Sequence, residues 1–401
     1  MSHPVLFTHR ATVGSCAALV AVGLMLAAYG PAIVEFKNRF GIGDAAAGLG
    51  MAAQSVGAVA GVLAAQPVLL RKGNRFTMTS ALLLMAAGCG LIAVAPTWSL
   101  TVVGAALSGF GLGGCDALTT QLFVFGQGDR GPMLVNVVHG CFGLGTVIAP
   151  VVLAFIGVEN YRLVFGAAAF ITVGAATTMA GLSPRPTPAD TAIALPASTG
   201  GRGAPRTAAA VIAGFLLLYV LHFGVQQGLG SWGPSRLLEL GYTSASASLV
   251  IAGYWMAMVV GRFAAAPLAG RVPLSVLVTI SCIGSTAAIA LALYSPATIW
   301  AYVLAGLFIG PIFPNGLTWL AHTPYAPGAV FAYVIAAAMA GAAVFPPILG
   351  VAIGAAGVDA LAPALLAGMV LAVASCGGIG VALRRAARAT SLADAAPATC
   401  S

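Results

Sequence analysis

The sequence predicts an all-α membrane protein, with twelve transmembrane helices in two pseudo-symmetric six-helix bundles. Three observations carry that expectation. Hydrophobic residues make up 60% of the 401 positions and Asp, Glu, Lys and Arg only 6%, whereas a water-soluble domain carries about a quarter of its residues as charges. The mean hydropathy of +1.01 is too high for a chain this long to hide its apolar surface from water. One long polar break, from Ser183 to Arg206, divides the apolar runs into two sets of six.

In chain order the apolar runs fall near 11–34, 45–70, 76–96, 99–125, 133–156 and 162–183, then 208–231, 245–267, 272–294, 297–320, 328–353 and 359–383. Each is about the length that crosses a hydrocarbon core as a helix. None alternates in the way a barrel strand would, and only helices or closed barrels satisfy their backbone in lipid. The first run starts near Ala11 without a small-residue cleavage site behind it, and so reads as a retained span. The organisation expected is an N-terminal bundle at 1–182, a cytoplasmic linker at 183–206, a C-terminal bundle at 207–384 and a cytoplasmic tail at 385–401. The linker SPRPTPADTAIALPASTGGRGAPR is rich in Pro, Ala, Gly and Thr. Gly-rich stretches that run into proline recur in HGCFGLGTVIAP of span five and AGAAVFPPILG of span eleven. Similarly, GFGLGG of span four is matched by GLFIGPIFP of span ten. Glycine and proline are common in membrane helices anyway, so duplication is the stronger of two readings.

The net charge of +8 comes from small basic clusters at the ends of apolar runs, which indicates topology and argues against nucleic acid as a partner. When both termini are placed in the cytoplasm, Arg10, Arg71, Lys72, Arg75, Arg130, Arg185, Arg202, Arg206, Arg262, Arg271, Arg384, Arg385 and Arg388 fall inside, and Lys37, Arg39, Arg162 and Arg236 outside. The expected location is the cell inner membrane, multi-pass, with the lipid bilayer as surroundings and a monomer as the unit. Of seven cysteines, six lie inside apolar runs without metal-ligand spacing and read as small core residues. No metal, cofactor or enzymatic motif is expected, and the missing Walker loop argues against a self-contained ATP-driven pump.

Asp116, in GGCDALTTQLF of span four, is the sharpest signal. A carboxylate inside a span must be neutralised, paired or hydrated, which suits a group that takes a proton on one side and releases it on the other. The alternative is a structural polar contact. His139 lies three residues after Asn136 on span five and shares its helix face; hydrogen bonding to a solute and a satisfied core histidine are both open. Span seven reads HFGVQQGLGSW, which puts His222, Gln226, Gln227 and Trp232 on one helix. Two amides and an indole suit a polyhydroxylated ligand, while Trp232 also fits an interfacial aromatic belt. Tyr29 and Asn315 complete the candidate substrate-binding set. Arg262 and Arg271, in VVGRFAAAPLAGR at the turn between spans eight and nine, are candidates for gating or for positive-inside anchoring.

On the arrangement six spans, long linker, six spans, with basic turns after spans two and eight, the chain resembles the major facilitator superfamily. Within it the chain is similar to the fucose–galactose–glucose proton symporter group, on GFGLGGCDALTTQLF, NVVHGCFGLG, GVQQGLGSW, GLFIGPIFPNGL and AGAAVFPPILG. That resemblance implies a midplane cavity between two bundles and alternating access by rocking. It also implies protonation of Asp116 coupled to sugar transport, with His139 where the group carries a sugar-binding amide. The function expected is proton-coupled uptake of a small polar solute, a sugar or polyol, with protons as the second cargo. The alternative is a proton-driven exporter of drugs or metabolites.

Overall fold

The computed structural model describes residues 9–126, 131–183, 205–269, 271–325 and 328–395. Twelve α-helices follow in order. They are α1 (His9–Phe40), α2 (Asp44–Val94), α3 (Trp98–Gly126), α4 (Gly131–Ile156), α5 (Tyr161–Thr178) and α6 (Pro205–Glu239), then α7 (Ser244–Ala269), α8 (Leu274–Leu291), α9 (Thr298–Ile309), α10 (Ile312–Ala321), α11 (Gly328–Ala356) and α12 (Leu361–Ala395). Among the described residues ten helical segments are long and apolar enough to cross a membrane, and Gly140–Ile156 is a shorter apolar one.

Element count and span count differ in two places. The 51 residues of α2 would reach about 76 Å as a straight helix, more than twice the ~30 Å of a hydrocarbon core. Gly73 breaks it with φ 83° and ψ 171°, a backbone state open to glycine and strained for other residues. Packing against α3 shows that the two arms run in opposite directions. On the first arm Gln54 abuts Gly109 and Ala58 abuts Gly113, so contacts climb α3. On the second, Ala81 abuts Gly111 and Gly88 abuts Gly104, so they descend it. The expected runs 45–70 and 76–96 are therefore the arms of one hairpin. Conversely, α9 and α10 share a single span, Ser295–Ala321, broken where Pro311 and Pro314 lack the amide protons that a continuous helix needs.

Two helices run past the expected boundaries. The tail expected from 385 continues α12 as helix to Ala395, and the linker expected to 206 has already become α6 at Pro205. Most of that linker, 184–204, lies outside the described residues, as does Cys400. The other cysteines are free thiols, with Cys89, Cys115, Cys282 and Cys376 buried.

Glycine contacts reveal the duplication at atomic level. In the first half a Cβ on Gly109 would strike the Gln54 carbonyl, one on Gly113 the Ala58 carbonyl, and one on Gly61 the Phe110 carbonyl. In the second half the same collisions join Gly306 to Tyr254, Gly310 to Met258 and Gly261 to Leu307. Gly145 meets the Val20 carbonyl as Gly341 meets that of Val220. Close helix approach through small residues is what replaces the hydrophobic effect inside a bilayer. Positive φ recurs as well, at Gly41 and Gly241 and at Gly157 and Gly357.

The halves meet at the far face, where α1 ends and α2 begins, and again along α4 and α7, where a Cβ on Gly143 would run into Val259; the near face is the end at which α1 begins. At Gly30 a Cβ would run into the Gly230 carbonyl, which Pro234 leaves without a helical donor. Gly48 presses on Pro346 and Pro347, and Gly350 on the Asp44 backbone and the Trp232 ring. Further along the same pair of helices an apolar gap of about 370 Å³ separates Val56, Val59 and Leu63 of α2 from Ala340, Ala343 and Val344 of α11. The far face carries two ion pairs: Lys37 with Asp44 at 2.6 Å, and Arg236 with Asp359. On the near face Arg75 donates to the carbonyls of Ala180 at 2.6 Å and Leu182 at 3.2 Å, capping the chain just past α5.

Candidate functional site

Midway along the second half, α6, α7 and α10 enclose a set of polar and aromatic side chains. His222 and Gln226 stand one turn apart on α6, on a common face. His222 is 0% exposed and Gln226 4%, and neither ring nitrogen of His222, nor Oε1 of Gln226, has a hydrogen-bond partner. A buried polar atom without a partner costs about 1–3 kcal/mol. Three of them within one helical turn is a concentration that the fold's own packing does not require.

Arg262 faces this set from α7. Its Nε donates to the Gly310 carbonyl at 3.2 Å, and one terminal nitrogen lies 3.7 Å from the Met258 sulfur. The Gly310 carbonyl is available because the residue four positions on, Pro314, has no N–H to offer it. The guanidinium lies within electrostatic range of the His222 ring and the Tyr254 hydroxyl. Among the described residues the salt bridges are Lys37–Asp44 and Arg236–Asp359, so Arg262 pairs with no described carboxylate. A charge within a span is costly, on the order of 3 kcal/mol on insertion scales, and marks a functional position by default.

Aromatic rings close the set. Tyr219 donates its hydroxyl to the Phe313 carbonyl at 2.6 Å. The rings of Tyr219 and Phe223 lie 5.6 and 5.2 Å from that of Phe313, and His222 stands edge-on to Phe223 at 5.2 Å. Phe223, Phe313 and Arg262 are half-buried, unlike the sealed core around them. Tyr254 donates to the Gln226 backbone carbonyl at 3.0 Å, which ties α7 to α6 beside the site.

The sequence candidates distribute unevenly about this set. Gln226 belongs to it, while Gln227 is buried with its amide 3.4 Å from Ser231 Oγ. Trp232 is fully enclosed and its indole N–H is used by the Pro346 carbonyl at 3.0 Å, so it seats α6 on α11. Asn315 turns its amide back onto the Pro311 carbonyl at 2.8 Å. Tyr29 stands apart from this set, buried in the first half with its hydroxyl unpartnered. It packs inside the first half, with Phe165 at 5.3 Å and Phe36 at 5.9 Å, because α1 turns that face toward α5. Arg262, read with the turn after span eight, lies about two turns inside α7, which continues helical to Ala269. Arg271 does stand exposed at the turn. The side chains of Asn136 and His139 lie outside the described residues.

Asp116 is half-buried on α3, beside Cys115 and one turn past Gly113. The repeat that matches Gly113 with Gly310 matches Asp116 with Phe313. The acid of the first half therefore occupies the position equivalent to the aromatic wall in the second. His222 was visible in the sequence, but its approach to Arg262 and to the Tyr219 ring was not. The available signal was a charge seven residues before the end of a span, too deep for a simple anchor.

The Major Facilitator Superfamily model matches residues 15–346, and the chain belongs to that family. It is accordingly a multi-pass membrane transporter and not an enzyme. No curated protein matches it by sequence. Among solved structures it is similar to a D-xylose–proton symporter, with TM-score 0.72 and 15% identity over 93% of this chain and 96% of that one. A nucleoside transporter matches with TM-score 0.70 and 13% identity over 93% and 98%. The E. coli fucose:proton symporter matches with TM-score 0.63 and 17% identity over 94% and 99%. At these identities the likeness establishes the fold.

Proposed function

We propose that this chain is a proton-coupled importer of a small polar solute, a sugar or polyol, working by alternating access across a cell inner membrane. The observation that carries the reading is Asp116, an acid within a span, set on the first half at the position equivalent to Phe313 of the polar set. Protonation would neutralise it and allow the loaded carrier to reorient, and loss of the proton on the other side would release the solute. Two of the similar structures are proton symporters of monosaccharides by title, which supports the same reading. The close contacts at the far face support a state closed there. With both termini cytoplasmic, that state would open inward. The two units would be 1–182 and 207–384, joined through 183–206, with the protein acting as a monomer.

The test is proton movement in proteoliposomes on adding sugars and polyols, for the wild type and Asp116→Asn. Alkalinisation outside on adding a solute is expected for the wild type, and its loss together with loss of uphill accumulation for the variant, while exchange of solute persists. Normal accumulation by Asp116→Asn would overturn the reading. Drug-driven proton efflux would assign the chain to export instead.

A further inference from the structure

We propose that the solute carries a negative charge and that Arg262, with His222 and Gln226, binds it: the cargo is a small hydroxylated monocarboxylate such as a sugar acid. This rests on the reading of the chain as a proton-coupled importer of a small polar solute, and it assigns that solute an acidic class in place of a neutral sugar or polyol.

Four observations converge on the same place. Arg262 lies inside α7, and its described partners are a carbonyl and a thioether, both neutral. Those contacts satisfy donors but leave the positive charge uncompensated in a low-dielectric setting, where a charge calls for an opposite one. His222, completely buried with both ring nitrogens unpartnered, lies within electrostatic range of that charge, and Gln226, one turn further along α6, has its Oε1 unpartnered. A guanidinium presents donors in a planar fork that matches a carboxylate. A single arginine compensates a single negative charge, which favours a monoanion over a phosphate ester. Around the charge, His222 and Gln226 offer hydrogen bonds to hydroxyl groups, and Phe223 and Phe313 offer apolar ring faces to the carbon skeleton.

The repeat supplies the fourth observation. The first-half counterparts of His222, Gln226 and Arg262 are Val22, Leu26 and Val62. If these polar residues served only to pack α6 against α7, the same packing in the first half would need them too, yet it is accomplished with apolar side chains. The polar set is thus an addition to the second half. Arg262 also holds the carbonyl freed by Pro314, and that structural task is one a neutral donor such as glutamine could perform.

The experiment uses the full-length protein in proteoliposomes under an inward proton gradient, with galactose, galactitol, galacturonate and lactate as probes. Galacturonate uptake is expected, little competed by equal galactose. Lactate reports whether the hydroxylated ring is needed beyond the charge. Arg262→Gln is expected to lose about ten- to a hundredfold in galacturonate uptake, the worth of one charge-assisted contact, with Arg262→Lys retaining part of it. Thermal melting of the detergent-solubilised variants separates misfolding from lost binding, and the wild-type competition needs no variant at all. Preference for galactose with galacturonate ignored would overturn the inference and leave the importer reading standing. Undiminished galacturonate uptake by a folded Arg262→Gln would also overturn it. Expulsion of a cationic drug, with no probe taken up, would overturn both.

Discussion

The two halves of this transporter share a scaffold and differ in chemistry. Their contacts superimpose in detail: Gly109 on Gln54 and Gly306 on Tyr254, Gly113 on Ala58 and Gly310 on Met258, Gly145 on Val20 and Gly341 on Val220. Against that shared frame the first half holds an acid at 116, where the second holds Phe313. The second half holds His222, Gln226 and Arg262, where the first holds Val22, Leu26 and Val62. What the halves share is what helix packing requires, because a backbone carbonyl within van der Waals reach admits only glycine. What they do not share is free of that constraint and available to a cargo.

Substitutions can break or sharpen this contrast. The largest effect is expected at Asp116, where Asp116→Asn should reduce uphill accumulation to passive equilibration while Phe313→Asp should not restore it, measured as solute accumulation in energised vesicles. Next come the matched glycines. Gly113→Val and Gly310→Val each drive a side chain into a backbone carbonyl that cannot move aside. Each should lower stability by at least the ~1–3 kcal/mol typical of overpacking, and by similar amounts, read as melting temperature in detergent. Strongly unequal losses would refute the structural equivalence of the halves.

A smaller and opposite effect is expected at His222. His222→Val restores the first half's residue at that position and removes two orphaned buried nitrogens, so melting should be unchanged or raised by about 1 kcal/mol, while solute uptake falls. A melting temperature that drops sharply would make His222 a structural residue. The smallest effect belongs to Trp232→Phe, which deletes the bond to the Pro346 carbonyl and should cost about 1 kcal/mol, with solute affinity nearly unchanged. A large loss of affinity at preserved stability would return Trp232 to the binding set.

The fold was largely legible because composition and run length are one-dimensional properties. Sixty per cent hydrophobic residues, runs of about twenty and one polar break suffice to specify lipid as solvent, helices as elements and a division into halves. The glycine–proline runs of spans four, five, ten and eleven also announced the duplication, since close backbone approach demands particular residues at particular places. The candidate site was legible only in part. Gln226 stood out because amides are rare in apolar runs, and the same rarity drew attention to Tyr29, Trp232 and Asn315, whose contacts in the fold are first-half rings, the Pro346 carbonyl and the Pro311 carbonyl.

By itself the sequence determined the solvent, the secondary structure and the repeat, all of which follow from the identity and spacing of neighbours along the chain. Tertiary structure alone decided which faces of those helices meet. It turned Tyr29 into the first-half core and drew Arg262 inward to the Gly310 carbonyl that Pro314 had freed. It also brought His222 within electrostatic range of that arginine, about forty residues away along the chain. The reason is physical. A helix in lipid is apolar on every side, so its sequence does not mark the face that lipid will touch, and only packing against its neighbours makes the choice.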